Sequence, residues 1–478
     1  MTKYVIKLKP CFQPALLNVM ALLISFCSPL HPFAKQMPGT GSSAFLLIGK
    51  SMSKGIMPYT DLFDHKGPML YVINWLGMLI GFMGVWLIEL ACMLLSVFLC
   101  YKTARRFFSE SASFLGTTAT FIALLSWFEG GNLTESYALP FFFGALYCLT
   151  GYFVQNFELN RKQIFISGLC MGGVLMLKPN MVSLWIGMCT VIFIHSLVIR
   201  KFRSIFRHIV FFAAGVLVLI LPFIVWLIAK GSLNDFYRCY FQFNFEYVDV
   251  PFSAVIKSMY KACHYPIIPI VAAILITLFF KQEDRKSFKF ILILSMIAVF
   301  GATILLSSLS GLTMSYYYIM YLPCLILPIT WTIELVIAHI RIKPIIILVI
   351  ISLVLNQSLF IGARMLRNTM RTDYDGNAIA SFIKENTTPD ESILYIGNYC
   401  SIYFLSDRSP AGYYPYYTPL SMDYPSVITA YIDELALNKP RLIAYGNREL
   451  PDAFDDYINE NYTVIYEYKN HVICTLRE

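Results

Sequence analysis

The chain has 478 residues, of which 57% are hydrophobic and only 14% are charged, and its net charge is +8. A soluble globular protein carries about 25% charged residues, so this composition excludes an ordinary soluble domain and indicates an integral membrane protein. The positive charge does not indicate a nucleic-acid partner. The basic residues lie in short loops between apolar runs, where they orient helices across a bilayer.

The N-terminal segment predicts an uncleaved first transmembrane helix. Lys3, Lys7 and Lys9 precede an apolar run from about Cys11 to Ser28, and no small-residue cleavage site follows that run. A signal peptide would carry such a site. We therefore predict a cytoplasmic N-terminus.

The segment from Pro68 to Gly81 decides the predicted topology. It is apolar but short, and runs of about 10–14 residues are more often interfacial or re-entrant than spanning. Ser42 to Lys54 is also short and mixed, and predicts an interfacial amphipathic helix. With both segments in the interface, we predict about eleven transmembrane helices, cytoplasmic loops enriched in Lys and Arg, and an outer C-terminus. If Pro68–Gly81 spans instead, every later loop changes side.

The later apolar runs predict the remaining membrane helices. An aromatic outer loop from Lys230 to Lys261 precedes a predicted eighth helix, which ends at Lys281, Arg285 and Lys286. We favour interfacial anchoring for these loop aromatics over stacking on sugars. The other bounded helix predictions are Gly84–Tyr101, Ser111–Phe128, Ser136–Val154, His208–Ile228 and Pro344–Phe360.

The composition becomes more polar after Arg364, which predicts two domains. Residues 1–363 form a mostly α-helical, polytopic membrane domain that includes a first outer loop over 30–81. Residues 364–478 form a small soluble α/β domain on the outer face. Its predicted elements are the helices Asn377–Asn386, Pro425–Leu437 and Ala453–Asn461, the strands Ser392–Gly397 and Arg441–Tyr445, and a hairpin over Thr463–Leu476 that turns near Lys469.

Residues 57–71, M-P-Y-T-D-L-F-D-H-K-G-P-M-L-Y, form the densest polar cluster in the first third of the chain. Glycosyl transfer at a membrane surface needs a carboxylate to activate the acceptor hydroxyl. It also needs cations or a metal to stabilise the departing lipid phosphate. Asp61 or Asp64 fits the base or a ligand of a divalent cation such as Mg²⁺ or Mn²⁺. Lys66 and His65 fit the phosphate.

Two further charged residues are candidates for the same pocket. Glu135 lies in a second predicted outer loop, and Lys178 lies at the top of a predicted helix. Simpler interpretations stay open. In the simpler interpretation of residues 57–71, they form a solvated turn in which Asp64 pairs with Lys66. Glu135 is then an acid near a helix N-terminus, where the helix dipole favours it. Lys178 then snorkels to the membrane interface. Glu89, inside a predicted helix, is a functional candidate because intramembrane acids are costly.

The pattern Gly55-x-x-Pro-Tyr-x-Asp-x-Phe-Asp-His-Lys-Gly-Pro-x-Leu-Tyr71, with the run Gly39–Phe45 before it, resembles the first outer loop of the GT-C superfamily of membrane glycosyltransferases. Protein O-mannosyltransferases and aminoarabinose transferases, of the glycosyltransferase family 39 type, belong to it. The segment Gly131–Pro140 is similar to the one that supplies the second acidic residue of that family. The resemblance covers roughly residues 1–230.

The resemblance implies an inverting transfer from a polyprenyl-phosphate sugar to a glycan, lipid or protein acceptor, at the outer face of the inner or plasma membrane. It assigns Lys66 to the donor phosphate and Glu135 to the second acid. Relatives carry the catalytic Asp after a Gly-Thr pair, where this chain has Gly41. Either Asp61 or Asp64 takes over the role, and we favour Asp64, or the chain is a diverged member.

Two alternatives to an enzyme stay open. A transporter or flippase for lipid-linked sugars usually shows internal repeats and charges near the midplane of the membrane. This sequence has neither a clear repeat nor clear midplane charges. A non-catalytic GT-C-like protein is the second alternative, because of Gly41.

Overall fold

The computed structural model describes residues 12–247, 250–263, 287–340, 342–372, 374–416, 425–446, 450 and 452–477. These residues are mostly helical, with a small sheet near the C-terminus. The first twelve helices are α1 (Phe12–Ser25), α2 (Thr40–Met52), α3 (Pro68–Met78), α4 (Phe82–Ala104), α5 (Glu110–Leu124), α6 (Thr134–Val154), α7 (Arg161–Leu175), α8 (Ser183–Val198), α9 (Phe202–Ala229), α10 (Leu233–Phe236), α11 (Phe243–Tyr247) and α12 (Phe252–Cys263).

The remaining described elements complete the chain. They are the helices α13 (Ser287–Ser308), α14 (Leu322–Leu335), α15 (Pro344–Val354), α16 (Asn356–Thr369), α17 (Tyr374–Asn386), α18 (Ser401–Ser406), α19 (Pro425–Asn438) and α20 (Asp452–Asn461), and the strands β1 (Ile393–Ile396), β2 (Leu442–Gly446), β3 (Tyr462–Tyr468) and β4 (His471–Leu476). Short 3₁₀ segments lie at Pro179–Met181 and Ser315–Tyr321, and π-helical segments at Tyr237–Gln242 and Val336–Ile340.

Several helices have the length and apolarity of membrane spans. Within the described ranges there are five, or six if α15 and α16, bent by 68° at their junction, form one broken span. The five are Phe82–Ala104, Thr134–Val154, Phe202–Ala229, Ile291–Ser308 and Ser315–His339. The predicted mostly α-helical membrane fold is thus confirmed. The predicted eighth helix, with Lys281, Arg285 and Lys286, lies outside the described residues, so the number eleven stays a prediction.

The predicted single helix Pro344–Phe360 differs from the structure. The structure ends α15 at Val354 and begins α16 at Asn356. The apolar run gives way here to the polar sequence Asn356-Gln357-Ser358. α15 is apolar almost throughout, whereas α16 mixes polar and apolar residues, so the two helices suit different surroundings.

The described residues divide into two compact units. The described residues of the helical unit lie within Met1–Ser28, Trp86–Val225 and Val248–Arg367, and those of the loop-and-sheet unit lie within Pro29–Val85, Trp226–Tyr247 and Asn368–Glu478. The predicted first outer loop, residues 30–81, therefore groups with the C-terminal residues. The predicted division into 1–363 and 364–478 stays a prediction.

Burial separates the helices of the helical unit into central and peripheral ones. In the most apolar stretch of α6, 78% of the residues are buried inside the protein, against 6% in that of α9. A helix that is apolar yet unburied suits contact with lipid, whereas a buried one packs against other helices. The central position of α6 matters for the site, because Glu135 lies in its first turn.

The sheet of the loop-and-sheet unit has the order β1-β2-β4-β3 among the described strands. β1 and β2 are parallel, which requires a crossover connection, and α18 and α19 lie in that connection. β4 runs antiparallel to both of its neighbours. The β3–β4 hairpin turns at Lys469, whose φ is 51°. The predicted C-terminal sheet is therefore present.

The first outer loop contributes to the core of this unit. Ala44 and Leu47 of α2 are buried in one cluster with Ile379 and Ile383 of α17 and with residues of the sheet. α3 has 11 residues and is therefore about 16 Å long, whereas a bilayer core is about 30 Å thick. This helix is too short to span, as the sequence predicted, and its place in the membrane interface stays a prediction.

Gly49 permits the close contact between α2 and α3. A Cβ atom added at Gly49 would lie 2.7 Å from the backbone of Asn74 and Trp75. We expect Gly49→Ala to lower the free energy of unfolding by about 1–3 kcal/mol, because a backbone cannot move aside as a side-chain tip can. Thermal unfolding of the purified full-length protein in detergent measures this loss.

The matched control is Gly41→Ala in the same helix. Its added Cβ would meet the Phe45 ring at an ordinary 3.8 Å, so we expect no loss of stability. Equal melting temperatures for the Gly49 variant and the wild type would contradict the close packing of α2 on α3.

Candidate active site

The carboxylate of Asp64 is buried among polar groups. Asp64 is 1% exposed, and its Oδ1 accepts the backbone N–H of His65 at 2.6 Å. The hydroxyls of Tyr71 and Tyr416 lie close to this carboxylate and favour its charged form. Burial raises the pKa of Asp64, and the Lys66 ammonium and these donors limit the rise. Asp64 therefore holds a proton more readily than an exposed aspartate does.

Two buried tyrosines fix the loop that carries Asp64. The Tyr59 hydroxyl donates to the Lys66 carbonyl at 2.7 Å, and the Lys66 backbone N–H donates to the Tyr71 hydroxyl at 3.1 Å. The two tyrosine rings meet edge to face, with centroids 5.6 Å apart. Pro68 presets the first turn of α3. Tyr71 follows it in the same helix, and helical side chains lean towards the N-terminus, which brings Tyr71 over the loop.

His65 and Lys66 place basic groups beside the buried carboxylate. The Nδ1 atom of His65 lies 3.4 Å from Oδ1 of Asp64, and the Lys66 ammonium contacts Nε2 of the same ring. The side-chain amide of Asn244 donates to the His65 carbonyl at 2.9 Å. Both basic residues are half-buried. Asp64, His65 and Lys66 thus form one connected chain of acid, imidazole and ammonium, and the interpretation as a solvated turn does not hold for Asp64.

Asp61 has different surroundings from Asp64. It is exposed, and its Oδ2 accepts the backbone N–H of Met57 at 2.7 Å. It also lines a polar cavity of about 670 Å³, together with Glu434 and Arg441 among others. Asp61 caps a turn, whereas Asp64 belongs to the acid–imidazole–ammonium chain.

Glu135 and Lys178 form a buried ion pair in the helical unit. The Lys178 Nζ donates to Glu135 Oε1 at 2.8 Å, and their side chains are 12% and 1% exposed. The Thr134 hydroxyl donates to Glu135 Oε2 at 2.6 Å, and Lys178 lies 4.1 Å from the centroid of the Tyr317 ring. Burial lowers the pKa of Lys178, but Glu135 and Tyr317 outweigh burial, so that the pKa is raised. Lys178 does not snorkel, because its ammonium is bound inside the protein.

A strained turn precedes Glu135. Four consecutive residues, Glu129 to Asn132, have positive φ, a conformation that favours glycine. The backbone N–H of Asn132 donates to Oε1 of Glu89 at 2.7 Å, and a Cβ at Gly131 would collide with that oxygen. Glu89 is 2% exposed. The intramembrane acid noted in the sequence therefore holds this turn through the Asn132 N–H.

The structure groups the predicted site residues into two sets. Asp64, His65 and Lys66 are connected in the loop-and-sheet unit, and Glu135 and Lys178 are connected in the helical unit. That both sets serve one active site stays a prediction, as do their roles. Sequence reasoning missed the partners Tyr59, Tyr71, Tyr416, Thr134 and Tyr317. Tyr59 and Tyr71 carried a signal, because both are fixed positions of the quoted motif, and Thr134 lies in the quoted segment Gly131–Pro140.

Glu135 does not offer the free oxygens that a resident Mg²⁺ or Mn²⁺ prefers. Both Glu135 oxygens accept hydrogen bonds, from Lys178 and Thr134. In the described part of the chain, no group of three or more His, Cys, Asp or Glu side chains is arranged to hold a metal ion.

Comparison with known families and structures gives three findings. A family model described as "Putative competence-induced protein Ccs4 N-terminal domain" matches residues 2–344. No curated protein matches the sequence. The family assignment therefore comes from the family model, and the fold assignment from solved structures.

The solved structures are similar over nearly the whole chain. ArnT from Cupriavidus metallidurans in the apo state has a TM-score of 0.62 and 14% identity, and the match covers 96% of this chain and 97% of that one. ArnT bound to undecaprenyl phosphate has a TM-score of 0.59 and 13% identity over the same shares. AglB from Archaeoglobus fulgidus, in complex with an inhibitory peptide and a dolichol-phosphate, has a TM-score of 0.50 and 11% identity over 92% and 70%. The predicted GT-C fold is confirmed.

The buried ion pair predicts a strong coupling between Glu135 and Lys178. We expect Lys178→Met to lower the free energy of unfolding by about 3–5 kcal/mol, because it leaves a buried carboxylate unpaired. The double variant Glu135→Gln/Lys178→Met should recover most of this loss, as measured by a double-mutant cycle of unfolding in detergent. Lys469→Met, which breaks the exposed pair with Asp375, is the control and should cost far less. Additive losses in the buried pair would contradict the coupling.

The raised pKa of Asp64 predicts a pH-dependent stability. A carboxyl whose pKa is higher in the folded protein stabilises the fold below its unfolded pKa and loses that contribution as the pH rises through the folded value. Asp64→Asn removes this loss, so we expect the variant to melt above the wild type at pH 8. The difference should shrink as the pH is lowered towards 4.

The matched control is Asp407→Asn, which changes an exposed aspartate in a left-handed conformation that asparagine accepts. Its melting temperature at pH 8 should stay close to that of the wild type, because the changed side chain is exposed. An Asp64→Asn variant that melts below the wild type at pH 8 would contradict the direction of the Asp64 pKa.

Proposed function

The chain belongs to the family of the competence-induced Ccs4 N-terminal domain, and we propose that it is a membrane glycosyltransferase that uses a polyprenyl-phosphate sugar. The observation that carries the proposal is the buried Asp64 carboxylate, with its raised pKa, beside the half-buried ammonium of Lys66. A general base works best when its pKa lies near the operating pH. Burial raises the pKa of a carboxyl and so brings it closer to a neutral operating pH.

The proposed reaction begins with the hydroxyl of the acceptor. Its oxygen attacks the anomeric carbon of the donor sugar, and Asp64 takes the hydroxyl proton. The bond between the anomeric carbon and the phosphate oxygen breaks, the electron pair leaves with the polyprenyl phosphate, and the configuration inverts. We favour Asp64 over Asp61 as the base, because Asp61 is exposed and caps a turn.

Positive charge is needed where the lipid phosphate leaves. Lys66 and His65 supply it in the proposal, and Lys178 is a further phosphate-binding candidate. Glu135 is the second acid that the sequence resemblance implies, and it keeps Lys178 in place through their ion pair. A role for a divalent cation stays a prediction, and the proposed reaction routes no step through one.

The choice of donor is supported by the structures that share the fold. One ArnT structure is bound to undecaprenyl phosphate and one AglB structure to a dolichol-phosphate. We propose the same class of lipid carrier for this chain, with transfer at the outer face of the inner or plasma membrane and a cytoplasmic N-terminus. The acceptor is a glycan, lipid or protein of the cell envelope.

Asp64→Asn tests the proposal directly. We expect kcat for transfer from a polyprenyl-phosphate sugar to fall by about 10²–10⁴-fold, because asparagine cannot accept the hydroxyl proton. The fold should stay intact, as judged by melting temperature. Transfer is measured with purified protein in detergent, a radiolabelled donor and membrane-derived acceptors, with and without added Mg²⁺.

Asp407→Asn is the matched control and should keep wild-type turnover. Wild-type turnover in Asp64→Asn would overturn the role of Asp64 as base. If the wild type transfers no sugar but proteoliposomes translocate the lipid-linked sugar, the protein is a transporter and the proposed function fails.

A further inference from the structure

A second cavity in the loop-and-sheet unit has the composition of a carbohydrate-binding site. Its volume is about 320 Å³, near the lower end of small-ligand sites. Three chain segments line it, within residues 59–63, 235–246 and 413–414, and we call it the loop cavity. It is distinct from the polar cavity that Asp61 lines.

Aromatic rings line part of the loop cavity. The Phe63 ring meets Phe243, Tyr414 and Tyr413 with centroids 5.1, 5.3 and 5.8 Å away. The Tyr413 hydroxyl donates to the Tyr59 carbonyl at 2.9 Å, which fixes this ring. Tyr413 and Tyr414 are only half-buried, so parts of their rings are accessible. The face of an aromatic ring is negative and attracts the weakly positive C–H groups of a pyranose.

Hydrogen-bond acceptors and donors also line the loop cavity. Asp235 and Glu246 bring carboxylates, and Arg238 and Gln242 bring N–H donors. The Thr60 hydroxyl donates to Asp235 at 2.9 Å, and Gln242 donates to Glu246 at 3.2 Å. A sugar hydroxyl donates and accepts at once, so its recognition needs acceptors and donors together. A purely apolar ligand would leave these groups unused.

The aromatic residues of the predicted loop fall into two classes, and the segment 237–242 lies beside the cavity. It is π-helical, and π-helical turns are frequent at functional sites. Tyr237 and Phe245 do not line the cavity and are 59% and 75% exposed. Phe243 is 8% exposed and faces the cavity. The predicted interfacial anchoring suits the first two residues, but it does not explain the ring and carboxylates that line the cavity.

We propose that the loop cavity binds a saccharide unit. Phe63 directly precedes Asp64, and the Phe243 ring packs 5.5 Å from that of His65, so a sugar held there borders the acid–imidazole–ammonium chain. The cavity is then the subsite for a glycan acceptor. This role as acceptor subsite rests on the proposed function, whereas saccharide binding itself does not.

The test measures binding without any donor lipid. Full-length protein in detergent is titrated with chitotriose, maltotriose and a rhamnose trisaccharide, followed by saturation-transfer NMR and calorimetry. We expect at least one of the three to bind and Tyr414→Ala to weaken that binding at least tenfold. Gln242→Ala, a change at an exposed residue, should weaken it severalfold. Phe245→Ala changes an exposed ring that does not line the cavity. It is the matched control and should bind the saccharide as the wild type does.

The results separate this inference from the proposed function. If none of the three saccharides binds, or if Phe245→Ala loses as much affinity as Tyr414→Ala, the inference is overturned. If Tyr414→Ala does not fold, as judged by melting, Gln242→Ala decides. Binding without any sugar transfer keeps the inference and counts against the proposed function. If the protein transfers sugar and the folded cavity variants keep the acceptor KM of the wild type, the proposed function stands and the acceptor subsite is overturned.

Discussion

Polar groups inside the apolar helices of this protein need partners from the chain itself, because lipid offers no hydrogen bonds. Glu135 has Lys178, and Glu89 has the backbone of Asn132. The pairing of Glu89 also fixes the conformation of the backbone. Glu89 holds the left-handed turn that leads into α6, and α6 carries Glu135. The geometry around the second acidic candidate thus follows from satisfying charges that water cannot reach.

Local sequence patterns predicted the elements better than their contacts. Arg441–Tyr445 is observed as Leu442–Gly446, and the hairpin turns at Lys469 as predicted. Strands and turns of this kind carry their signal within a few residues. The parallel pairing of β1 with β2 was not predicted. It depends on a crossover, and no local pattern encodes that connection.

The same limit applies to the candidate site. The motif placed Asp64 beside Lys66, and the resemblance singled out Glu135. Neither indicated that Tyr416 would enclose Asp64, since the tyrosine-rich run around it has no periodicity that points to a partner. The sequence alone could not decide whether packing requires glycine at position 41. An added Cβ there meets ordinary distances, so packing does not impose glycine, and this departure from the family pattern concerns chemistry.

The enclosure of Asp64 joins distant parts of the chain. Tyr71 is close to Asp64 in sequence, but Tyr416 belongs to the C-terminal part of the loop-and-sheet unit. During synthesis on the ribosome, Asp64 emerges long before Tyr416 does. Contacts between residues far apart in sequence form late, because the loop between them must first be closed. The nascent protein therefore carries an unfinished acid pocket until translation is almost complete.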